Sequence, residues 1–298
     1  MVTTRKNNKW RAYGRGMFAG LVGLALMAAT AQGGALDPFD VSFDPSFRSA
    51  YHSRGKIVEN RPVFMTTTRV GWNTKEIGGF GKIGFWNFTS SSLTRKRRTV
   101  YRRPLNEMDY GLFWTYTWDF GQDHAAWEGW GVTTDALMDW ITLEGYRHAY
   151  RENKTNASIH EYRLQQSLDN PYLTPFYLFR RGIHPNDWFY ARVGVKHTFH
   201  LTDTLTFTPT FHAEHGDERL FIRRYGERLD GGSYHSGLMA LNLILELAWK
   251  ASDNVTFYAN VHQFDLTDER LRDKAKAQTA ANYRRDLTIL ALGLRCRF

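Results

Sequence analysis

The last thirteen residues admit few folds. Thr288, Leu290, Leu292, Leu294, Cys296 and Phe298 fall on one face of an extended chain, while Ile289, Ala291, Gly293, Arg295 and Arg297 fall on the other. Side chains alternate across a strand with a period of two, so the first set meets an apolar medium and the second, carrying two arginines, meets water. The pattern recurs. Leu241, Leu243, Leu245, Leu247 and Trp249 alternate with Ala240, Asn242, Ile244, Glu246 and Ala248, and Leu205, Phe207, Pro209, Phe211 and Ala213 alternate with Thr206, Thr208, Thr210, His212 and Glu214. Val255, Phe257, Ala259 and Val261 alternate with Thr256, Tyr258, Asn260 and His262 in the same way.

The first thirty residues have a different character. Arg5, Lys6, Lys9, Arg11 and Arg15 precede the apolar run from Met17 to Ala29, and Ala29-Thr30-Ala31 supplies small residues for cleavage. That is the plan of a secretory signal peptide, and the run is shorter than the ~20 residues a membrane-spanning helix needs. We therefore expect a signal peptide over residues 1–31 and a mature domain over 32–298. Its removal takes away five cations and no anions, leaving a formal charge of +4 in place of +9, which weakens any case for a nucleic-acid partner. No later segment holds eighteen consecutive apolar residues, so the exported chain is either soluble or a membrane protein built from strands. Aromatic residues are 15% of the chain, in keeping with the aromatic girdles of outer-membrane barrels. Cys296 is the only cysteine, so neither an internal disulfide nor a cysteine-based zinc cluster can form; its place suggests a small apolar residue facing lipid.

Less regular alternation adds strands at 41–51, 63–72, 80–88, 108–118, 140–150, 158–166, 173–180 and 188–199. With the four clear ones the expectation is an all-β, antiparallel transmembrane barrel of about 12 strands, an even number that lets both termini lie on the periplasmic side. Connections should then alternate between short periplasmic turns and longer external loops. Residues 73–79, 167–172, 201–204 and 250–254 fit the former, and 89–107, 181–187, 215–237 and 265–285 the latter. Residues 119–139 do not fit, being long where a turn is expected. The external loops are basic, with Arg95, Lys96, Arg97, Arg98, Arg102 and Arg103 in one, Arg223, Arg224 and Arg228 in another, and Arg270, Arg272, Lys274, Lys276, Arg284 and Arg285 in the last. A solvated charge run is the ordinary reading; contact with lipopolysaccharide phosphates or an anion funnel is the sharper one.

By the same parity the lumen receives Arg48, Arg69, Lys82, Arg163, Arg192, Lys196, Arg295 and Arg297 against Asp44, Asp109, Glu144, Glu161, Glu214 and Glu246. Such a set either braces a narrow barrel by ion pairs or lines a polar path with a mild preference for anions. No metal site and no cofactor is expected: His197 and His200, like His212 and His215, are three apart, which sends strand side chains to opposite faces. No His-x-Ser is present of the kind a barrel phospholipase would use, so an enzyme is not the expectation.

The closing residues Ala291-Leu-Gly293-Leu-Arg-Cys296-Arg-Phe298 resemble the terminal signal read by the outer-membrane assembly machinery, with Gly293, Cys296 and Phe298 at its marked positions. Ser49-Ala-Tyr-His-Ser-Arg54-Gly55 with Arg61-Pro62-Val63-Phe64, Glu107-Met-Asp109-Tyr110 with the strand from Tyr146 to Tyr150, and Asp253-Asn254-Val-Thr-Phe257 with the closing strand resemble the TorF-type porins over some 250 residues. That resemblance implies an outer-membrane channel of undefined solute; the basic loops and the terminal signal add membrane lipid, lipopolysaccharide and the assembly machinery as expected partners. The function expected is passive diffusion of small polar solutes, anionic by the cation count. The alternative is a closed structural or surface barrel whose basic external loops bind lipopolysaccharide or a cell-surface partner.

Overall fold

In a computed structural model, residues 39–93, 105–122, 125–142, 158–184, 187–225, 231–277 and 286–298 are described. Residues 1–38, which hold the expected signal peptide, lie outside them, as do Glu144 and the cations at positions 95–103, 228, 284 and 285.

The alternating segments form one closed antiparallel sheet. Its walls are β1 (Phe39–Arg48), β4 (Val63–Asn73), β5 (Lys82–Ser92), β6 (Leu105–Asp119), β7 (Gly131–Thr142), β8 (Ser158–Asp169), β9 (Thr174–His184), β10 (Trp188–Lys196), β12 (Leu205–Gly216), β13 (Gly237–Lys250), β14 (Val255–Leu266) and β15 (Asp286–Arg297). Each strand pairs with its neighbours in the chain, β1 pairs with both β4 and β15, and the ring closes conventionally all round. A two-residue strand, β11 (Phe199–His200), extends the edge of β12 beyond β10. Closure leaves no open edge, which is the condition for a sheet to sit in lipid.

Parity holds around the wall. Phe47, Phe85, Leu112, Tyr162, Val193, Leu243, Leu247, Leu290 and Leu292 are exposed on the outside. Aromatic side chains gather near both rims: Trp114, Tyr116 and Trp118 with stacked Trp249 and Phe257 at the terminus end, and Tyr110 stacked on Trp140 with Phe179 against Phe189 at the other. Cys296 has the outward parity but is buried beside its register partner Phe43, which corrects the lipid-facing expectation.

One strand differs from the sequence reading. The fifth wall strand is Gly131–Thr142, not 140–150, so nearly half of the troublesome segment 119–139 is wall. What remains is a turn of residues 120–130, where Asp119 Oδ1 accepts from the Gly121 amide and Gly129 has a φ of 77°. All described connections at the terminus end are therefore short.

The opposite end is filled. After β1 the chain turns inward as the hairpin β2 (Tyr51–Ser53) and β3 (Lys56–Glu59), where the sequence pattern had run a single strand on to residue 51. The hairpin meets α1 (Glu218–Tyr225), a helix of the external loops that packs against a second one, α2 (Glu269–Ala277). Asp217 and Asp268 accept from the amides of Leu220 and Leu271, capping the first turns. Leu220, Phe221 and Tyr225 of α1 and Leu271 of α2 are buried with Trp188, Tyr190, Tyr234, Met239, Phe264 and Leu266 in the main apolar cluster. Tyr225 donates to the Gly55 carbonyl and Tyr51 donates to Glu107 Oε2 at 2.7 Å, tying the hairpin to α1 and β6.

Candidate functional site

The eight lumen candidates all take the inward parity, but they divide by their partners. Arg69 forks onto Asp135 at 2.7 and 3.1 Å, and Arg163 reaches the same carboxylate at 2.8 Å. Arg295 forks onto Glu246 at 2.8 and 2.7 Å, with Asp44 at 3.7 Å and the Tyr258 ring 4.3 Å away. Arg192 bonds Glu214 at 3.2 Å, and His212 stands 3.6 Å from that carboxylate. Lys196, Arg48 and Arg297 form no ion pair among the described residues; Arg48 reaches only the Ser46 hydroxyl, at 3.4 Å. Planar guanidinium forks of this kind match carboxylates better than an ammonium does, which is why the bracing cations are arginines.

Water reaches the two halves of the lumen unequally. In the half nearest the termini the side chains of Arg69, Asp135, Arg295 and Glu246 are 28, 16, 33 and 17% exposed. In the mouth half the carboxylates Glu161 and Glu214 are 0% exposed and Arg54 is 7%, while the wall cations Arg180 and Arg192 keep 20 and 31%.

The arrangement that the linear sequence concealed runs from mid-wall, where Trp86 lies opposite Arg69, into the mouth half. Reading across the strands by register, Trp86 on β5 lies opposite Gly111 on β6, Gly111 opposite Asp139 on β7, and Asp139 opposite Glu161 on β8. Glu161 lies opposite Gly182 on β9, and Gly182 opposite Trp188 on β10. The row thus reads Trp, Gly, acid, acid, Gly, Trp over six strands. The glycines are required. A Cβ at Gly182 would stand 2.0 Å from the Trp188 indole nitrogen, and one at Gly111 2.8 Å from that of Trp86. Each glycine lets an indole lie over the wall toward the carboxylates.

Into this row the hairpin delivers Arg54. Its Nη2 donates to Glu161 Oε1 at 2.7 Å, and its guanidinium carbon lies 4.9 Å from the Trp188 ring centroid. Arg180 donates to the same Glu161 oxygen at 2.6 Å. Across the row, Arg163 stands 5.9 Å from the Trp86 ring. Arg54 and Gly55 are the central residues of the two-residue turn, with φ of 52° and 70°. Both must be left-handed in the tight hairpin turn that matches strand twist. Gly accepts this freely, whereas an arginine there is strained by about 1 to 2 kcal/mol.

Asp139 is 1% exposed, and neither of its carboxylate oxygens has a hydrogen-bond partner among the described residues; the same is true of Glu161 Oε2 and Asp109 Oδ1. Among the described residues no group of three His, Cys, Asp or Glu side chains converges as a metal site would require. Sequence parity included Asp109 and Glu161 among the inward residues but missed Arg54, Asp139 and the two tryptophans. Arg54-Gly55 offered one signal, since a residue pair before a second strand marks a turn.

Neither a family model nor a curated protein sequence matches the chain, so the TorF-type resemblance stays one of pattern. Among solved structures the fold is similar to the KdgM porin (9% identity, 87% of this chain and 99% of that one, TM-score 0.43). It is also similar to the COG4313 outer membrane channel from Pseudomonas putida F1 (9%, 87% and 94%, TM-score 0.46) and to outer membrane phospholipase A from Escherichia coli (10%, 86% and 92%, TM-score 0.43). Superpositions this loose, onto channels and an enzyme alike, say nothing of activity. The fold and place of this protein rest on its own geometry: a closed twelve-stranded barrel with an apolar outer belt, aromatic rims and a charged interior is a porin-like barrel of the bacterial outer membrane.

Proposed function

We propose that the protein is a porin through which small polar solutes diffuse, with passage controlled where the β2–β3 hairpin lies in the mouth. The observation that carries this reading is the change in burial along the lumen. The carboxylates of the terminus half, Asp135 and Glu246, keep contact with water, as a path for polar solutes requires, whereas Glu161 and Glu214 in the mouth half are wholly buried beneath Arg180 and Arg192, which stay partly exposed. Twelve strands lie between filled eight-stranded barrels and open sixteen-stranded ones, so a movable element suffices to switch such a lumen. The hairpin is joined to the wall at both ends and held inside by the packing of Tyr51 and His52 and by the polar contacts of Arg54, Tyr51 and Gly55, which makes it a separate element that can leave the mouth as a unit.

The expected anion preference rests on Lys196, Arg48 and Arg297, because the other cations of the lumen face carboxylates at bonding distance. It is therefore a weak preference. Lipopolysaccharide as partner of the basic loops and the assembly machinery as reader of Gly293, Cys296 and Phe298 belong to the same proposal.

Conductance of the refolded full chain in a planar bilayer tests it, beside a variant in which residues 51–59 are replaced by a short glycine-serine link. Brief or small steps from the unaltered chain and large steady ones from the variant are expected. A variant that folds and stays silent sinks the reading and leaves the second one, a closed barrel that works through its external loops, which the buried mouth favours.

A further inference from the structure

The row across the mouth is built for a flat cation, and the chain fills it with a cation of its own. A guanidinium is recognised by in-plane hydrogen bonds to a carboxylate together with stacking of its face on an aromatic ring. Glu161 supplies the first, Trp188 the second, and Gly182 the gap that brings them together. The acceptors are in excess of what Arg54 uses. Counting the inward residues of the mouth half, the carboxylates of Glu107, Asp109, Asp139, Glu161 and Glu214 outnumber the wall cations Arg48, Arg180 and Arg192, and Asp139 keeps two buried oxygens unbonded. Unpaired buried carboxylates are costly unless a cation joins them. The fork of Arg54 is held there at the tip of a turn whose left-handed backbone is unfavourable for it. A glycine, asparagine or aspartate would make the turn with less strain, so the guanidinium is what the position requires.

We propose that the row from Trp86 to Trp188 is a binding site for guanidinium-bearing solutes, and that Arg54 is a tethered occupant which such a solute displaces. As a statement about the solute in transit this rests on the porin reading; as a statement about binding it does not. An incoming guanidinium replaces the contacts of Arg54 on Glu161 and Trp188, and its release of the hairpin couples binding to opening. A ligand shifts such an equilibrium by its differential affinity for the two states, and the open state alone presents the site.

The test is calorimetric titration of the refolded full chain in detergent micelles with agmatine, which carries a guanidinium, and with putrescine, in which an ammonium takes its place. Removing a tethered competitor raises apparent affinity. Arg54→Ala should bind agmatine at least tenfold more tightly than the unaltered chain, with putrescine at least tenfold weaker than agmatine. Adding Glu161→Gln to Arg54→Ala should remove the gain. Arg54→Lys preserves the charge at the tip and, being a poorer fork, should give an intermediate affinity; it serves where the alanine variant does not refold. Affinity unchanged or lowered in both Arg54 variants, or equal binding of agmatine and putrescine, overturns the proposal. In a bilayer the two readings separate. A chain that binds agmatine yet stays silent even with residues 51–59 replaced retains the site and refutes the porin, whereas steady conductance of that variant with no agmatine binding to the full chain retains the porin and refutes the site.

Discussion

Glu161 and Glu246 sit on the inner wall of the same barrel, and each accepts an arginine at about the same distance, 2.7 and 2.8 Å, yet their surroundings differ. Glu246 is met by Arg295 where water also reaches, at 17% exposure, whereas Glu161 is wholly buried and shared by Arg54 and Arg180. A charge pair near water gains little and costs little; one taken out of water is expensive to make and more expensive to break. The terminus half is thus a tolerant polar conduit, and the mouth half a locked polar core whose removal of any one member leaves a charge stranded.

The largest expected effect follows directly. Glu161→Ala strands two guanidinium groups and should lower the unfolding free energy by about 3 to 5 kcal/mol, while Glu246→Ala should cost about 1 to 2 kcal/mol because water takes over the vacated bonds. Urea unfolding of both variants from the same detergent or vesicle measures the gap. Equal losses would break the comparison.

Glycine substitutions sharpen it sterically. Gly182→Ala drives a methyl into the Trp188 indole, held fast at 1% exposure, and should cost about 1 to 3 kcal/mol while unseating the hairpin. In the terminus half Gly71→Ala meets the side-chain carbons of Lys82 at 2.7 and 2.8 Å, which can swing aside, so a smaller loss is expected. Raised conductance in the first variant alone would place the gate at the mouth.

Acid should act on the mouth through the hairpin's own histidine. His52 is packed against Phe264 and His262 of β14, and burial, with Arg192, His212 and Arg224 nearby, holds it down at about 4 against an ordinary 6.5, Glu214 opposing the shift. The released hairpin therefore binds more protons than the docked one between these values. Docking is at full strength above pH 6.5 and weakens as pH falls toward 4. Conductance should rise over that window, and His52→Gln should flatten the profile. A profile that is flat in the unaltered chain would show that the hairpin does not move.

The two halves also differed in how far the sequence disclosed them. The side of the wall to which each lumen candidate points follows from a period of two, so Arg69, Arg192, Glu246 and Arg295 could be assigned without knowing any partner. From Trp86 to Gly182 the row depends on register between residues 21 to 28 apart along the chain, set by the stagger of the closed barrel, which no local pattern records. β7 escaped detection for a related reason. Its inner face carries Leu137 and its outer face Thr134 and Ala136, so the contrast between faces is weak where Trp140 and Ile141 follow. Arg54 lay hidden because the alternation of β1 runs on through Tyr51 although the chain leaves the wall after Arg48.

The smallest expected effect concerns the cations that belong to neither network. Neutralising Arg192 or Arg295 changes two things together, since each loss leaves Glu214 or Glu246 unpaired, and a shift in ion preference would then mix lost positive charge with gained negative charge. Lys196, Arg48 and Arg297 are free of that ambiguity. Changing all three to glutamine should move the reversal potential under a salt gradient toward cations while leaving the urea midpoint in place. The step should be modest, because charges in contact with water act through a high dielectric and are screened within about 10 Å at 0.1 M salt. It should therefore grow when the measurement is repeated at lower ionic strength. A reversal potential that ignores the triple change at every salt concentration would assign ion preference wholly to the paired networks, among them the carboxylates of the Trp86 to Trp188 row, which favour cations.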